Sequence, residues 1–324
     1  MFRKMLLLAF SLVFCVAACY AAPKPNEITD PEQAKADPDF AIQGEYLGEK
    51  IGAQVIALGD GKFDAVVYQG GLPGAGWCPK DKALKKSTLS GERKGDATKL
   101  SGQDATASIE GQKLTLVDKK SGEKTELKRT VRKSPTLGAK PPAGAVVLFA
   151  GPADVDKWQP GRIAPDGTLD AEANSKQKFG DHRAHIEFRL SYMPAARGQG
   201  RSNSGVYVHS CYEMQVLDSF GLKGENNECG GFYSIKAPDV NMCFPPLEWQ
   251  TYDIDFTAPK YEGEKKVANG RITVKHNGVV IHDNLELPKG TPGRQPEGPS
   301  PRSLYFQGHG NHVHFQNIWM EEKK

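Results

Sequence analysis

Residues able to do acid–base chemistry are concentrated in one short stretch, RSNSGVYVHSCYEMQVLDSFG, at residues 201–221. Both halves of this stretch alternate apolar and polar side chains, which predicts two antiparallel strands joined by a tight connection. The polar positions include Glu213, His209 and Tyr207, which can take up, carry or donate a proton. Such a face is either the solvated exterior of a sheet or the wall of a binding site.

The register of this hairpin decides which side chains meet. A two-residue turn at residues 210–211 would place Val208 opposite Glu213, with a carboxylate on the apolar face. A three-residue loop over residues 210–212 instead places Val208 opposite Met214, so that apolar groups are buried together. We therefore expect the second register.

The expected register collects the polar side chains on one surface. His209 then faces Glu213, and Tyr207 faces Gln215. A base and a proton carrier would be adjacent, while Gln215, Tyr207 and Asn203 could donate hydrogen bonds to hydroxyls or to a developing oxyanion. We expect Glu213 to be the base, because an isolated Glu at this place has no other evident task.

Histidines and acidic residues elsewhere offer weaker metal ligands. His312 and His314 share one face of a strand, a spacing that can serve zinc if a third ligand arrives from elsewhere. Residues 218–231, DSFGLKGENNECGG, carry Glu228 among several oxygen ligands for calcium, but without the ordered spacing of a calcium loop. We expect a solvated acidic turn there and name no metal site. Whether the protein uses a divalent cation is left open.

The elements that must position these residues are short strands throughout. A chain of 324 residues can hold two domains with a core in each. Residues 41–132 consist of short alternating segments divided by Gly and Asp, which predict a small all-β domain. Residues 146–322 are also β throughout, with an Asn-Gly hairpin signal at His276–Val279. Many short strands without a long helical period predict an all-β protein whose second domain is a β-sandwich or jelly roll.

Three further segments are rich in Pro and poor in groups to bury. Residues 22–40 and 133–145 are expected to be linkers. Residues 287–303 form a segment that is long for a loop. It is therefore expected either to be mobile or to form the rim of another feature of the molecule.

The N-terminus has the pattern of an export signal. Arg3 and Lys4 precede an apolar run and then small residues, so residues 1–21 are expected to be a signal peptide. The VAAC at residues 16–19 fits a bacterial lipobox that would make Cys19 a lipid-bearing first residue, and ordinary cleavage near residue 21 competes equally. We expect a periplasmic, secreted or envelope-anchored protein whose contact with a membrane is limited to that lipid.

The net charge bears on the class of binding partner, and the cysteines bear on the possible disulfides. The formal net charge is +3, and removing the two charges of the signal region leaves +1, which gives no reason to expect a nucleic-acid partner. In an oxidising compartment the four later cysteines permit three pairings. Cys229 and Cys243 are close in sequence, so we expect a disulfide between them, while Cys78 and Cys211 are left undecided.

An ordered series of motifs in the second domain resembles a known family. VVLFAGPADVDKWQ at residues 146–159 is followed by SNSGVYV, YEMQVLDS, GGFYSIKAP, EWQTYDIDF, VKHNGVVIHD and HGNHVHFQNIWM. Over residues 146–322 the chain resembles the 3-keto-disaccharide hydrolase domain family. The resemblance implies a concanavalin-like jelly roll with sugars on one sheet face, and activity on saccharides or glycosides oxidised at carbon 3.

That activity implies a defined chemistry. A ketone at carbon 3 acidifies the hydrogen on carbon 2, a base removes it to give an enolate, and the group on carbon 1 leaves by elimination before water adds. Glu213 would be the base and His209 the proton carrier. Direct hydrolysis is the other option, and it needs two carboxylates, for which Glu213 and Asp218 would be the pair.

Sugar binding implies further contacts. Tyr233 and Trp249 could stack on sugar rings, although most aromatic side chains in β domains belong to the core. His309, between two glycines, is expected to contact sugar from a loop. The alternative to an enzyme is a carbohydrate-binding or surface-adhesion module without turnover, because folds of this type serve binding proteins as readily as hydrolases.

Overall fold

Strands dominate the architecture. A computed structural model describes residues 26–323, so the predicted signal peptide and Cys19 lie outside the described residues. In this described part of the chain, helix is confined to α1 (Pro31–Ala34), α2 (Pro38–Ile42) and two 3₁₀ turns (Pro152–Lys157 and Gly198–Gly200). Within residues 26–323, no helix has the length and apolar character needed to cross a membrane. The all-β prediction is confirmed.

The N-terminal unit is a closed barrel of eight antiparallel strands. Alternate side chains such as Phe63, Leu114 and Leu127 fill its interior, because successive residues of a strand point to opposite faces. The chain order of its strands is β1 (Gly44–Leu47), β2 (Ile51–Gly59), β3 (Lys62–Gln69), the short parallel pair β4 (Leu72–Pro73) and β5 (Gly76–Trp77) outside the barrel, β6 (Lys86–Lys94), β7 (Ala97–Gly102), β8 (Ala105–Glu110), β9 (Lys113–Asp118) and β10 (Lys124–Thr130).

The second unit is a sandwich of two sheets with the core between them. Phe306 of one sheet stacks on Phe315 of the other, with ring centroids 3.9 Å apart. The strands are β11 (Val146–Phe149), β12 (Trp158–Gln159), β13 (Leu169–Asp170), β14 (Ala173–Phe179), β15 (His182–Leu190), β16 (Asn203–Val208), β17 (Tyr212–Leu217), β18 (Trp249–Thr257), the small pair β19 (Lys260–Glu262) and β20 (Lys265–Ala268), β21 (Gly270–His276), β22 (Val279–Leu287), β23 (Arg302–Phe306) and β24 (Val313–Glu322).

Two main sheets form this sandwich. The seven-stranded sheet has the order β11-β24-β15-β18-β21-β22, with β13 paired to β24, and the five-stranded sheet has the order β12-β14-β23-β16-β17. The Asn-Gly signal is the turn at Asn277 between β21 and β22, where His276 pairs with Val279. The jelly-roll class predicted from strand spacing and motifs is confirmed.

The segment ahead of the barrel is packed, although its composition predicted a linker. Asp30 and Asp37 accept hydrogen bonds from backbone N–H groups at the starts of α1 and α2, which is why helical turns form in a Pro-rich stretch. Ala34 is fully buried, and the Phe40 ring lies 5.2 Å from the ring of Tyr192 in the sandwich.

The segment between the units is also held down, across the outer face of the seven-stranded sheet. Ser134 Oγ lies 2.6 Å from Thr251 Oγ1, and the Gly138 backbone N–H donates to Glu187 Oε1 at 2.5 Å. Short polar side chains and backbone groups, rather than apolar side chains, make these contacts, so the composition that predicts a linker gives no sign of them.

Candidate functional site

The predicted hairpin is present, with a register two residues away from the expected one. Val206 of β16 pairs with Met214 of β17, and Val208 pairs with Tyr212, so the connecting loop is residues 209–211. Because a slip of two residues keeps every side chain on its own face, the valines still pack inward. Within the two strands the division into an apolar and a polar face is as expected, whereas the individual pairs differ and His209 leaves the polar face.

The expected pairing of His209 with Glu213 is therefore wrong. His209 lies in the loop with a left-handed φ of 54°, and its ring centroid is 5.5 Å from that of Phe256 in the core. Burial, with Arg302 adding to it, lowers the pKa of His209 to about 4, so the imidazole is neutral at pH 7. Tyr207, rather than His209, lies opposite Glu213.

Glu213 is buried over a glycine. Its side chain is 5% exposed, and a Cβ added to Gly205 would lie 2.7 Å from Glu213 Oε1, so the absence of a side chain there makes room for the carboxyl group. Burial raises the pKa of Glu213 to about 7, and a hydrogen bond from the Tyr207 hydroxyl opposes that rise. A carboxyl group that is half ionised near pH 7 can both take and return a proton.

Strand pairing aligns this carboxyl group with a row of polar and aromatic residues. Across the five-stranded sheet, Asn174 pairs with Tyr305, Tyr305 with Tyr207, and Tyr207 with Glu213. The Tyr233 backbone N–H donates to the Glu213 carbonyl oxygen at 3.2 Å, which continues the row beyond β17. The ring centroids of Tyr207 and Tyr305 are 5.6 Å apart. The row therefore brings aromatic side chains and an acid–base group together on one face of the sheet.

A cluster of amides adjoins Glu213 along the strands. The amide nitrogens of Asn203 and Gln215 donate to the backbone carbonyls of Gln199 (2.8 Å) and Asn227 (3.3 Å), which fixes their orientation. The amide oxygens of Asn203, Gln215 and Gln307 are buried, with no hydrogen-bond partner among the described residues. A buried acceptor left without a donor costs about 1–3 kcal/mol, so these oxygens suit a ligand rich in hydroxyl groups.

The Pro-rich segment at residues 287–303 borders this face. Thr291 Oγ1 accepts a hydrogen bond from the Glu213 backbone N–H at 2.8 Å. A Cβ added to Gly293 would lie 3.0 Å from the Tyr207 hydroxyl oxygen, and the guanidinium carbon of Arg294 lies 3.7 Å from the Tyr305 ring centroid. Of the two alternatives left open by the sequence, the segment therefore borders a site.

Asp218, the predicted second carboxylate, has a structural position. Its Oδ2 accepts from Arg201 Nε at 2.6 Å, and both side chains are buried. The same guanidinium donates to the Ala57 carbonyl oxygen of the barrel at 3.3 Å. Asp218 is thus part of an ion pair at the contact between the two units, and no described contact joins it to Glu213.

Two predicted sugar contacts lie apart from the Glu213 row. Trp249 begins β18 in the other sheet, where the Arg189 guanidinium lies 4.9 Å from its ring centroid. His309 is exposed in the loop between β23 and β24. Neither residue is brought to the carboxyl group by strand pairing.

Each candidate metal ligand contacts a different partner. His312 Nδ1 lies 3.1 Å from Asp170 Oδ2, His314 Nδ1 lies 3.3 Å from Asp166 Oδ2, and Glu228 accepts backbone N–H groups of its own turn. Among residues 26–323, no three His, Cys, Asp or Glu side chains gather in a group that could hold a metal ion.

The expected disulfide is not formed in the structure. Cys229 and Cys243 are neighbours, as their sequence proximity suggested, but both are free thiols that share a hydrogen bond deep in the core. Cys229 Sγ also lies 3.2 Å from the Tyr252 hydroxyl oxygen. Cys211 is likewise free and buried, and Cys78 is free and exposed.

The sequence did not point to five members of the site: Asn174, Gly205, Arg294, Tyr305 and Gln307. A signal for two of them existed, because Tyr305 and Gln307 alternate with the apolar Phe306 in SLYFQG. That alternation places them on a polar face, yet it does not say which strand lies beside them. Arg294 belongs to an irregular segment, for which no periodicity exists.

Comparisons with known proteins bear on the class of this domain. The fold and the comparisons together define a glycosyl hydrolase-like, carbohydrate-active domain. Residues 144–321 match the family model of the 3-keto-alpha-glucoside-1,2-lyase-like domain. Since this match spans more than half of the chain, the protein belongs to that family, as its motifs predicted.

Solved structures give further likenesses. A "putative glycosyl hydrolase" from Parabacteroides distasonis ATCC 8503 is 29% identical with a TM-score of 0.50, covering 56% of this chain and 84% of that chain. A second crystal structure with the same description and organism is 18% identical with a TM-score of 0.38, covering 56% of this chain and 95% of that chain. No curated protein matches this chain.

Proposed function

We propose that this protein cleaves glycosides or disaccharides oxidised at carbon 3, with Glu213 as the base. The observation that carries the proposal is the buried Glu213 carboxyl group, whose pKa is raised to about 7 and which lies opposite Tyr207. The neighbouring amide oxygens, which have no described partner, suit the hydroxyl groups of a sugar. Family membership supports the 3-keto chemistry.

One acid–base group is enough for the elimination. The Glu213 carboxylate removes the proton from carbon 2, and the electron pair of that bond forms the carbon 2–carbon 3 double bond while charge collects on the ketone oxygen. Tyr207 donates a hydrogen bond to that oxygen, since burial keeps the pKa of its hydroxyl well above the usual range. The enolate then expels the group on carbon 1, whose oxygen takes the proton back from Glu213.

Water completes the cleavage. It adds to carbon 1 of the enone as carbon 2 regains a proton, which gives the free 3-keto sugar. Direct hydrolysis is the weaker alternative, because its predicted second carboxylate, Asp218, is held by Arg201. An exported or lipid-anchored location outside the cytoplasm is part of the same proposal.

Turnover of a neutral 3-keto-disaccharide in D₂O, followed by mass spectrometry, tests the reaction and its course. Elimination and hydration place deuterium on carbon 2 of the product beyond the enzyme-free background, whereas direct hydrolysis does not. Glu213→Gln is expected to lower kcat by 10²- to 10⁴-fold, the usual range for loss of general acid–base catalysis. It should leave sugar binding nearly unchanged.

Glu228→Gln and His209→Gln are the matched controls. The Glu228 carboxylate accepts backbone N–H groups of its own turn, and His209 lies on the core side, so both variants should retain turnover. A Glu213→Gln variant that cleaves at the wild-type rate would refute the assignment of the base. A wild-type protein that binds the sugar and never cleaves it would favour the carbohydrate-binding alternative.

A further inference from the structure

Arg294 has hydrogen-bonding capacity that the described residues do not use. Its Nη2 donates to Asn174 Oδ1 at 2.6 Å, and its Nε is buried without a hydrogen-bond partner. Seven other arginines of the described residues have a carboxylate within 4.0 Å, and Arg294 has none there. A guanidinium carries five N–H donors in a planar fork that matches a carboxylate.

The position of this guanidinium is fixed relative to Glu213. The guanidinium carbon of Arg294 lies over the Tyr305 ring, 3.7 Å from the ring centroid, which is within range of a cation–π contact. The segment that carries it is attached at Thr291, whose N–H donates to the Cys211 carbonyl oxygen at 2.7 Å and whose hydroxyl accepts from the Glu213 N–H. The segment is attached again at Glu297, which pairs with Lys266 at 2.8 Å.

Strand spacing gives the separation between this guanidinium and the base. Tyr305 and Glu213 are two strands apart in the row, which corresponds to about 10 Å in the direction across the strands. When carbon 2 of an oxidised sugar meets Glu213, a ring attached through carbon 1 has the length to span this separation and reach Tyr305. The amide cluster lies in the other direction, along the strands, where the oxidised sugar itself would bind.

We propose that Arg294, supported by Tyr305 and Asn174, forms a leaving-group subsite that selects glycosides whose leaving group carries a carboxylate. The chemical class includes uronic acids and hydroxybenzoates. The inference rests on the proposed function for its place in the reaction, and the binding of the leaving group itself is independent of turnover. A charge-assisted, two-pronged contact from a partly buried guanidinium is worth roughly 10- to 100-fold in affinity.

A matched pair of substrates isolates the carboxylate. The 3-keto-glucosides of 4-hydroxybenzoate and 4-hydroxybenzamide have leaving groups of nearly equal size and shape, which differ in charge. For each protein, the ratio of the two kcat/KM values removes effects common to both substrates. We expect Arg294→Gln to lower the benzoate-to-benzamide ratio by roughly 10- to 100-fold and Arg294→Lys by less, because Lys keeps the charge and loses the planar fork. The effect should fall mainly on KM.

Arg302→Gln is the control for general positive charge. Arg302 begins β23 and donates to Gln295 Oε1 of the same Pro-rich segment at 3.2 Å, so it shares the region without covering Tyr305. Arg302→Gln should leave the benzoate-to-benzamide ratio of kcat/KM values unchanged. A ratio that is equal in wild type and Arg294→Gln would overturn the subsite and leave the proposed function standing.

A binding experiment separates failure of the subsite from failure of the reaction. The unoxidised glucosides of the same two phenols have no ketone, so the proposed elimination cannot start from them, and calorimetry can compare their affinities for wild type and Arg294→Gln. A preference for the benzoate that disappears in the variant supports the subsite even if no 3-keto sugar is cleaved. Equal affinities for both ligands in both proteins would overturn it.

Discussion

At the scale of single residues, burial rather than a charged neighbour sets the chemistry of Glu213. Removal from water raises the pKa of its carboxyl group to about 7, and the only opposing influence is the Tyr207 hydrogen bond. No charged side chain among residues 26–323 contributes to this pKa shift, so Glu213 keeps its raised proton affinity without belonging to an ion pair there. Asp218 is the contrast, because Arg201 holds it in a buried pair.

The pH dependence of cleavage follows from this burial. Glu213 must be ionised to remove a proton, so kcat/KM for a 3-keto-disaccharide should rise with pH and level off above about 7. Because the Tyr207 hydrogen bond lowers the pKa of Glu213, Tyr207→Phe should move the inflection to higher pH and lower the plateau. A profile from pH 4 to 9 measures both. An inflection near the ordinary glutamate value of 4.5 would contradict the buried state of the base.

At the scale of elements, alternation predicted the faces of the strand residues correctly, but it did not predict the pairs or the core-side position of His209. Alternation fixes which side of a strand a residue faces, so Tyr207, Glu213 and Gln215 were placed together from sequence. A shift of two residues preserves every face, so the hydrophobic pattern cannot distinguish the two registers. The conformation of the turn decides between the two registers. Its residues with left-handed φ are His209 and Ser210, whereas Asn and Gly are the residue types from which such a turn is predicted.

The end of β17 carries an ion pair whose loss should affect stability rather than turnover. Asp218→Asn leaves the buried charge of Arg201 without its partner, and breaking a buried pair in this way costs roughly 3–5 kcal/mol of the free energy of unfolding. Urea unfolding measures that loss, and kcat/KM at a temperature where the variant is folded should match the wild type. Glu228→Gln should change neither quantity. A large loss of kcat in folded Asp218→Asn would instead favour direct hydrolysis with two carboxylates.

At the scale of the whole molecule, the sequence predicted two β units and did not predict that they share a core. Ile56, Val66 and Tyr68 of the barrel are buried within the sandwich's hydrophobic cluster. These three residues lie in strands whose residue pattern is that of ordinary barrel strands. The local sequence therefore does not show that their side chains contact the other unit. The Arg201 guanidinium adds hydrogen bonds to the barrel's Ala57 carbonyl.

This shared core predicts that the barrel and the sandwich lose stability together. Ile56 is 8% exposed, and a Cβ on Gly221 of the sandwich would lie 2.4 Å from its Cδ1, so Ile56→Asp places an unpaired carboxylate between the units. The free energy of unfolding should fall by roughly 3–5 kcal/mol, because a buried side chain is lost and a charge is left unpaired. Hydrogen exchange read by mass spectrometry should then show faster exchange in peptides of both units.

Val131→Asp is the matched control, because Val131 is 53% exposed and the new carboxylate would remain in water. Its exchange pattern should equal that of the wild type. If Ile56→Asp accelerated exchange in the barrel peptides alone, the two units would be energetically independent, and the packed contact between them would contribute little to stability. Faster exchange that extends to β16 and β17 would mean that the barrel stabilises the sheet carrying Glu213, which would give the N-terminal unit a part in maintaining the site.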